Sequence, residues 1–125
     1  MAKIASLGVT ESIRVDSRRV QDIVNELGEV AAEGVIQVAL EQMAVVIDEL
    51  QQAVETGNSG QISSQAERLS RLAWQVGLVS LAAVSVDVAD CARRQEIVAL
   101  TATMARTVRV ANRSLTEVWD GIAGK

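Results

Sequence analysis

Six apolar side chains, Ile36, Leu40, Met43, Ile47, Leu50 and Val54, recur at alternating steps of four and three residues. A strand, with its two-residue repeat, cannot use that spacing. A helix turning every ~3.6 residues gathers all six onto one stripe. Ile97, Leu100, Met104, Val108, Ala111, Leu115 and Val118 repeat the pattern near the C-terminus. The chain has no proline to break either run. Valine is abundant and locally favours strand, yet no stretch alternates strictly between apolar and polar residues across hairpin turns. The expectation is an all-α protein.

Turn chemistry divides the chain. Asp16 or Ser17 is placed to cap a short helix bearing Val20, Ile23, Val24 and Leu27, which Gly28 ends or bends. A long helix is predicted from about residue 29 to 55. Thr56-Gly57-Asn58-Ser59-Gly60 is the strongest loop signal. A third helix is predicted from near Gln61, carrying Ile62, Ala66, Leu69, Ala73 and Val76, with Gly77 marking a bend, an end or a close helix contact. A fourth holds Leu81, Val84, Val88 and Ala92, and Arg93-Arg94 stand where positive charge suits a helix C-terminus. The last is predicted from about Gln95 to Asp120, released by Gly121 and Gly124. Four long amphipathic helices joined by short links pack most simply as an antiparallel up-down four-helix bundle with an additional short N-terminal helix. Residues 1–14 form an N-terminal segment that frays or adds a turn, and 15–125 form a single bundle domain.

Composition removes several classes of function. With 125 residues the chain suits one domain, and 49% hydrophobic content argues against disorder. It contains no histidine, so imidazole acid–base chemistry, histidine nucleophiles and histidine metal ligands are excluded. Two tryptophans, Trp74 and Trp119, are the only aromatics, too few for a base-stacking surface. A net charge of −4 disfavours a phosphate-backbone partner, so no nucleic acid is expected. Cys91 stands alone, which excludes an internal disulfide and fits a reducing cytoplasm. The first eight residues read as too short in apolar core for a secretory signal. No uninterrupted apolar run approaches the ~20 residues of a bilayer span, so no membrane is expected. Asp87, Asp90 and Glu96 do not make a metal site by spacing, and no cofactor or metal is implied. No phosphate loop or nucleophile–base pair is visible, so the expectation is not an enzyme.

The third helix reads Glu67-Arg68-Leu69-Ser70-Arg71-Leu72-Ala73-Trp74-Gln75-Val76-Gly77. In this it resembles the histidine-containing phosphotransfer (HPt) family of bacterial phosphorelays, whose signature is His-x-Leu-Lys-Gly-Ser-Ala, two residues, an apolar residue and Gly. Leu69, Ala73, Val76 and Gly77 match, followed by the similar Leu78-Val79-Ser80-Leu81-Ala82. Leu27-Gly28-Glu29, Glu41-Gln42-Met43, Asp48-Glu49-Leu50 and Gly57-Asn58 resemble the family's upstream elements, so the resemblance covers about residues 15 to 120. Glu67 stands where the phosphorylated histidine belongs, and Ser70 and Arg71 replace the usual Lys and Gly. A phosphoramidate needs an imidazole nitrogen. The resemblance therefore implies a degenerate HPt-like fold without the family's chemistry.

Helical projection groups Glu67 with Ser63, Ser64, Ser70, Arg71 and Trp74, away from the apolar stripe. This is the candidate partner-binding face. Glu67 is either an ordinary solvated helix glutamate or a fixed charge in place of phosphohistidine, though one carboxylate is a poor copy of a phosphoryl group. Trp74 is either a hot-spot anchor or a lid on the core. Trp119 is expected in the core or capping it. Arg106, Arg109 and Arg113 recur at helical spacing, either as a solvated face or as a basic stripe for an acidic partner surface. The resemblance implies a non-catalytic, cytoplasmic signalling module that binds a response-regulator receiver domain or related signalling protein. The alternative is a structural bundle whose leftover stripes pair two chains as a homodimer.

Overall fold

The computed structural model describes residues 13–123, with side chains as far as Val118. Five helices follow one another: α1 Ser17–Leu27, α2 Glu29–Thr56, α3 Ser59–Gln75, α4 Val79–Arg93 and α5 Ile97–Ala123. Helices α2 to α5 form an antiparallel up-down bundle, each packing on the next, and α2 closes the ring against α5. The short α1 leans on α2. No strand occurs among the described residues. The all-α bundle with its extra N-terminal helix is therefore the fold. Residues 1–12 and the Trp119 side chain, on which the sequence sets expectations above, lie outside the described residues.

The core is built mainly of small and branched aliphatics. Ile36, Met43, Leu50, Ile62, Leu69, Leu78 and Leu81 supply its bulk. Ala66 and Ala73 on α3 and Ala82, Ala89 and Ala92 on α4 are all buried. With so little side-chain volume between them, α3 and α4 share the most extensive contact in the bundle. Two buried hydroxyls bond to their own helices: Ser85 Oγ donates to Leu81 O at 2.7 Å, and Thr107 Oγ1 to Thr103 O at 2.8 Å.

The links differ in length from what the sequence suggests. The expected five-residue loop shrinks to Gly57 and Asn58, because Gly57 closes α2 in a left-handed conformation (φ 75°) and Asn58 caps α3 two residues earlier than predicted. The Asn58 Oδ1 accepts from the Gln61 N–H at 3.1 Å. Between α4 and α5, Gln95 takes φ 56° without a glycine, so α5 begins at Ile97 rather than Gln95. Helix α5 also runs through Gly121 to Ala123, past the expected release point, since a lone glycine lowers helix propensity without ending a helix.

At the α3–α4 link, Gly77 (φ 79°) is an end and a close contact at once. Its carbonyl accepts from the Asp16 N–H at 2.7 Å. A Cβ on Gly77 would lie 2.3 Å from Asp16 O. The incoming chain is pinned here a second time, since the Arg14 N–H donates to Ser80 Oγ at 2.7 Å and the Ser80 N–H to Arg14 O at 3.2 Å. Residues 13 and 14 thus already lie against the bundle, and Ile13 and Val15 pack on its core. Asp16 then caps α1, accepting from the Arg18 N–H at 3.1 Å.

Helix α2 is, by length and composition, apolar enough to cross a membrane, although charges interrupt its apolar runs. In the bundle it gives Ala32, Ile36, Leu40, Met43, Val46, Leu50 and Ala53 to the core. Its outward side keeps Val30, Val35, Val38 and Val45 in solvent.

Candidate functional site

Helix α3 is amphipathic, with Ile62, Ala66, Leu69 and Ala73 turned inward. The six candidate residues occupy its other side, and the structure sorts them into two rows. Ser63, Glu67, Ser70 and Trp74 follow steps of four and three along the flank that meets α4. Two bonds establish that orientation. Ser70 Oγ donates across the seam to Ala82 O at 3.0 Å, and Arg93 Nη2 donates to Glu67 Oε2. Ser64 and Arg71 lie further round, exposed and on the side away from the core.

Within the first row the side chains have different duties. Ser63 is half-buried and its hydroxyl donates back to Gly60 O at 3.1 Å. Ser70 is half-buried and ties α3 to the α4 backbone. Glu67 is half-exposed and ion-paired with Arg93, which also holds Asp90 Oδ1 at 2.9 Å through Nη1. The result is a short carboxylate–guanidinium–carboxylate row across α3 and α4. Exposed pairs of this kind contribute about 0–1 kcal/mol each, so the row orients side chains more than it stabilises the bundle. Trp74, at the far end, is 57% exposed and so does not act as a lid on the core.

Sequence reading missed Arg93 and Asp90 as neighbours of Glu67. The sequence marks Arg93 as a helix-end charge, and it stands 26 residues from Glu67 along the chain. The signal was indirect: a short glycine link forces α3 and α4 together, and arginine is long enough to reach across. Chemically the site can present charge, hydrogen-bond donors and an indole. It holds no imidazole, because the chain has none. Cys91 is half-buried, with Sγ 3.8 Å from Thr103 Oγ1. Among the described residues no group of acidic or cysteine side chains could hold a metal ion.

A four-helix up-down bundle with a short N-terminal helix, closed at one link by a buried glycine, is the class that these features define. The structure is similar to the crystal structure of histidine-containing phosphotransfer protein B (HptB) from Pseudomonas aeruginosa PAO1, with a TM-score of 0.82 over 89% of this chain and 96% of that chain. Sequence identity is 15%, so the likeness is one of fold. No protein-family model matches the chain, and no curated protein does.

Proposed function

We propose that this chain is a non-catalytic HPt-like signalling module of a bacterial two-component phosphorelay. In this reading it acts in the cytoplasm and binds a receiver domain, or a related signalling protein, through the α3 face around Glu67. It accepts no phosphate and needs no cofactor or metal. The observation that carries the proposal is the pairing of an HPt-type fold with a carboxylate, Glu67, on the exposed flank of α3 at the position that resemblance assigns to the phosphorylated histidine. The Arg93 partner refines the reading. With its charge shared in an ion pair, Glu67 is a weak mimic of a phosphoryl group, and the 57% exposed Trp74 becomes the main anchor.

Two experiments test this. Incubation with a phosphorylated receiver is expected to leave the chain unlabelled, and transfer to it at an acid-labile site overturns the non-catalytic claim. Titration against receiver domains from the same cell is expected to show binding that weakens about tenfold or more for Trp74→Ala and less for Glu67→Lys. Unchanged affinity in both variants removes the α3 face from the proposal.

A further inference from the structure

Helix α2 has an outward face that the bundle does not use, and its chemistry is unlike that of the α3 flank. Val38 and Val45, seven residues apart, are 52% and 58% exposed, and Val30 and Val35 extend the apolar surface at 88% and 48%. Gly34 adds no bulk, with nothing within 4 Å of where its Cβ would stand. Less than a third of the most apolar stretch of this helix is buried. Solvated single valines are ordinary, but Val38 and Val45 at heptad spacing, with Val30 and Val35 to either side, make the kind of surface one helix offers to another.

Beside the valine row runs a second heptad row, Glu41, Asp48 and Glu55, all exposed. Asp48 also accepts from Gln52 Nε2 at 3.1 Å along its own helix. Helix α2 contains no lysine or arginine in its 28 residues. Exposed Glu49 stands on the other side of the valines, so acidic side chains edge them on both sides and select an occupant by charge as well as shape. A second α2 laid against it would bring an identical acidic row with it, and an anionic bilayer would repel it. We infer that the outward face of α2 docks an amphipathic helix of another protein, one carrying an apolar heptad row flanked by lysine or arginine. This inference uses none of the α3 residues and stands or falls separately from the proposed function.

The test uses the full chain and two fluorescent synthetic helices three heptads long. Both carry the same leucine row, with flanks all lysine in one and all glutamate in the other. At low salt the lysine peptide is expected to bind about tenfold or more tighter than the glutamate peptide, with the gap narrowing at high salt. The double variant Val38→Ser/Val45→Ser is expected to lose about tenfold in affinity for the lysine peptide. The triple variant Glu41→Lys/Asp48→Lys/Glu55→Lys is expected to reverse the preference. All five positions are exposed, and far-ultraviolet circular dichroism checks that the helices persist. Absent binding of the lysine peptide overturns the inference, as does equal binding to the valine double variant, which would reduce the effect to net charge. A concentration-dependent dimer lost in the valine variant would assign the face to a second copy. Binding to phosphatidylcholine–phosphatidylglycerol vesicles lost in that variant would assign it to a membrane. Either result overturns the inference.

Discussion

Two turns in this bundle share a left-handed glycine and little else. Gly57 (φ 75°) closes α2, and Gly77 (φ 79°) follows α3. Around Gly57 everything from Glu55 to Gln61 is exposed, and an added Cβ at Gly57 would meet nothing within 4 Å. Around Gly77, Val76 and Leu78 are buried, and an added Cβ would strike the Asp16 backbone. The first glycine serves only backbone geometry. The second also leaves room for another stretch of chain, so the segment entering α1 and the hairpin of α3 and α4 are fastened at one point. The same dihedral angle is thus a local convenience in one place and a tertiary requirement in the other.

Four substitutions and one titration bear on that contrast. Gly77→Ala combines left-handed strain with a backbone clash and is expected to cost about 3–5 kcal/mol in urea unfolding. A cost near that of Gly57→Ala would erase the distinction. Leu78→Ala removes a fully buried side chain from the same turn and is expected to cost about 3 kcal/mol, which has no counterpart at the other turn. Gly57→Ala is expected to cost about 1–2 kcal/mol, from strain alone. Asn58→Ala, which removes the α3 cap, is expected to cost about 1 kcal/mol in the same assay.

The smallest effect separates the two caps by pH. The Arg18 side chain, hydrogen-bonded to Asp16, holds its carboxyl below the ordinary value of 3.8, helped by the Arg18 backbone N–H. A lowered folded pKa contributes stability above the unfolded value and loses it as pH falls through the folded one. The Asp16 contribution is therefore expected to fade below about pH 4, and Asp16→Asn to flatten that acid limb in pH-dependent urea midpoints while keeping a cap. The Asn58 cap carries no charge and is expected to add no such limb.

Much of the architecture was legible because the apolar spacing is unambiguous where one face of a helix is buried. Ile36, Leu40, Met43 and Leu50 are buried as the stripe on α2 predicts, while Ile47 and Val54 are half-buried and Val46 is fully buried instead. In α5 the predicted stripe keeps Leu100, Met104, Ala111 and Val118, but Ile97 is 75% exposed and Thr107, Val110 and Ser114 are buried. Hydroxyls read as solvent-facing, and Thr107 escapes that rule by bonding its own helix. On α3 the projection separated outward from inward residues correctly. It carried no information about which outward residues meet α4. Ser70 and Glu67 are bonded across that seam and Ser64 and Arg71 are not, a distinction that only the packed neighbour creates.

The unequal helix lengths have a dynamic consequence. Helices α2 and α5, with 28 and 27 residues, outrun α3 and α4, with 17 and 15. At ~1.5 Å per residue the surplus is several turns, and the opening turns of α2 follow directly on α1, a helix with no fully buried residue. Cover there is thin, so a brief detachment of α1 exposes the opening turns of α2 while its later turns stay sandwiched. Amide deuteration should therefore divide this unbroken rod into a fast-exchanging stretch and a slow one.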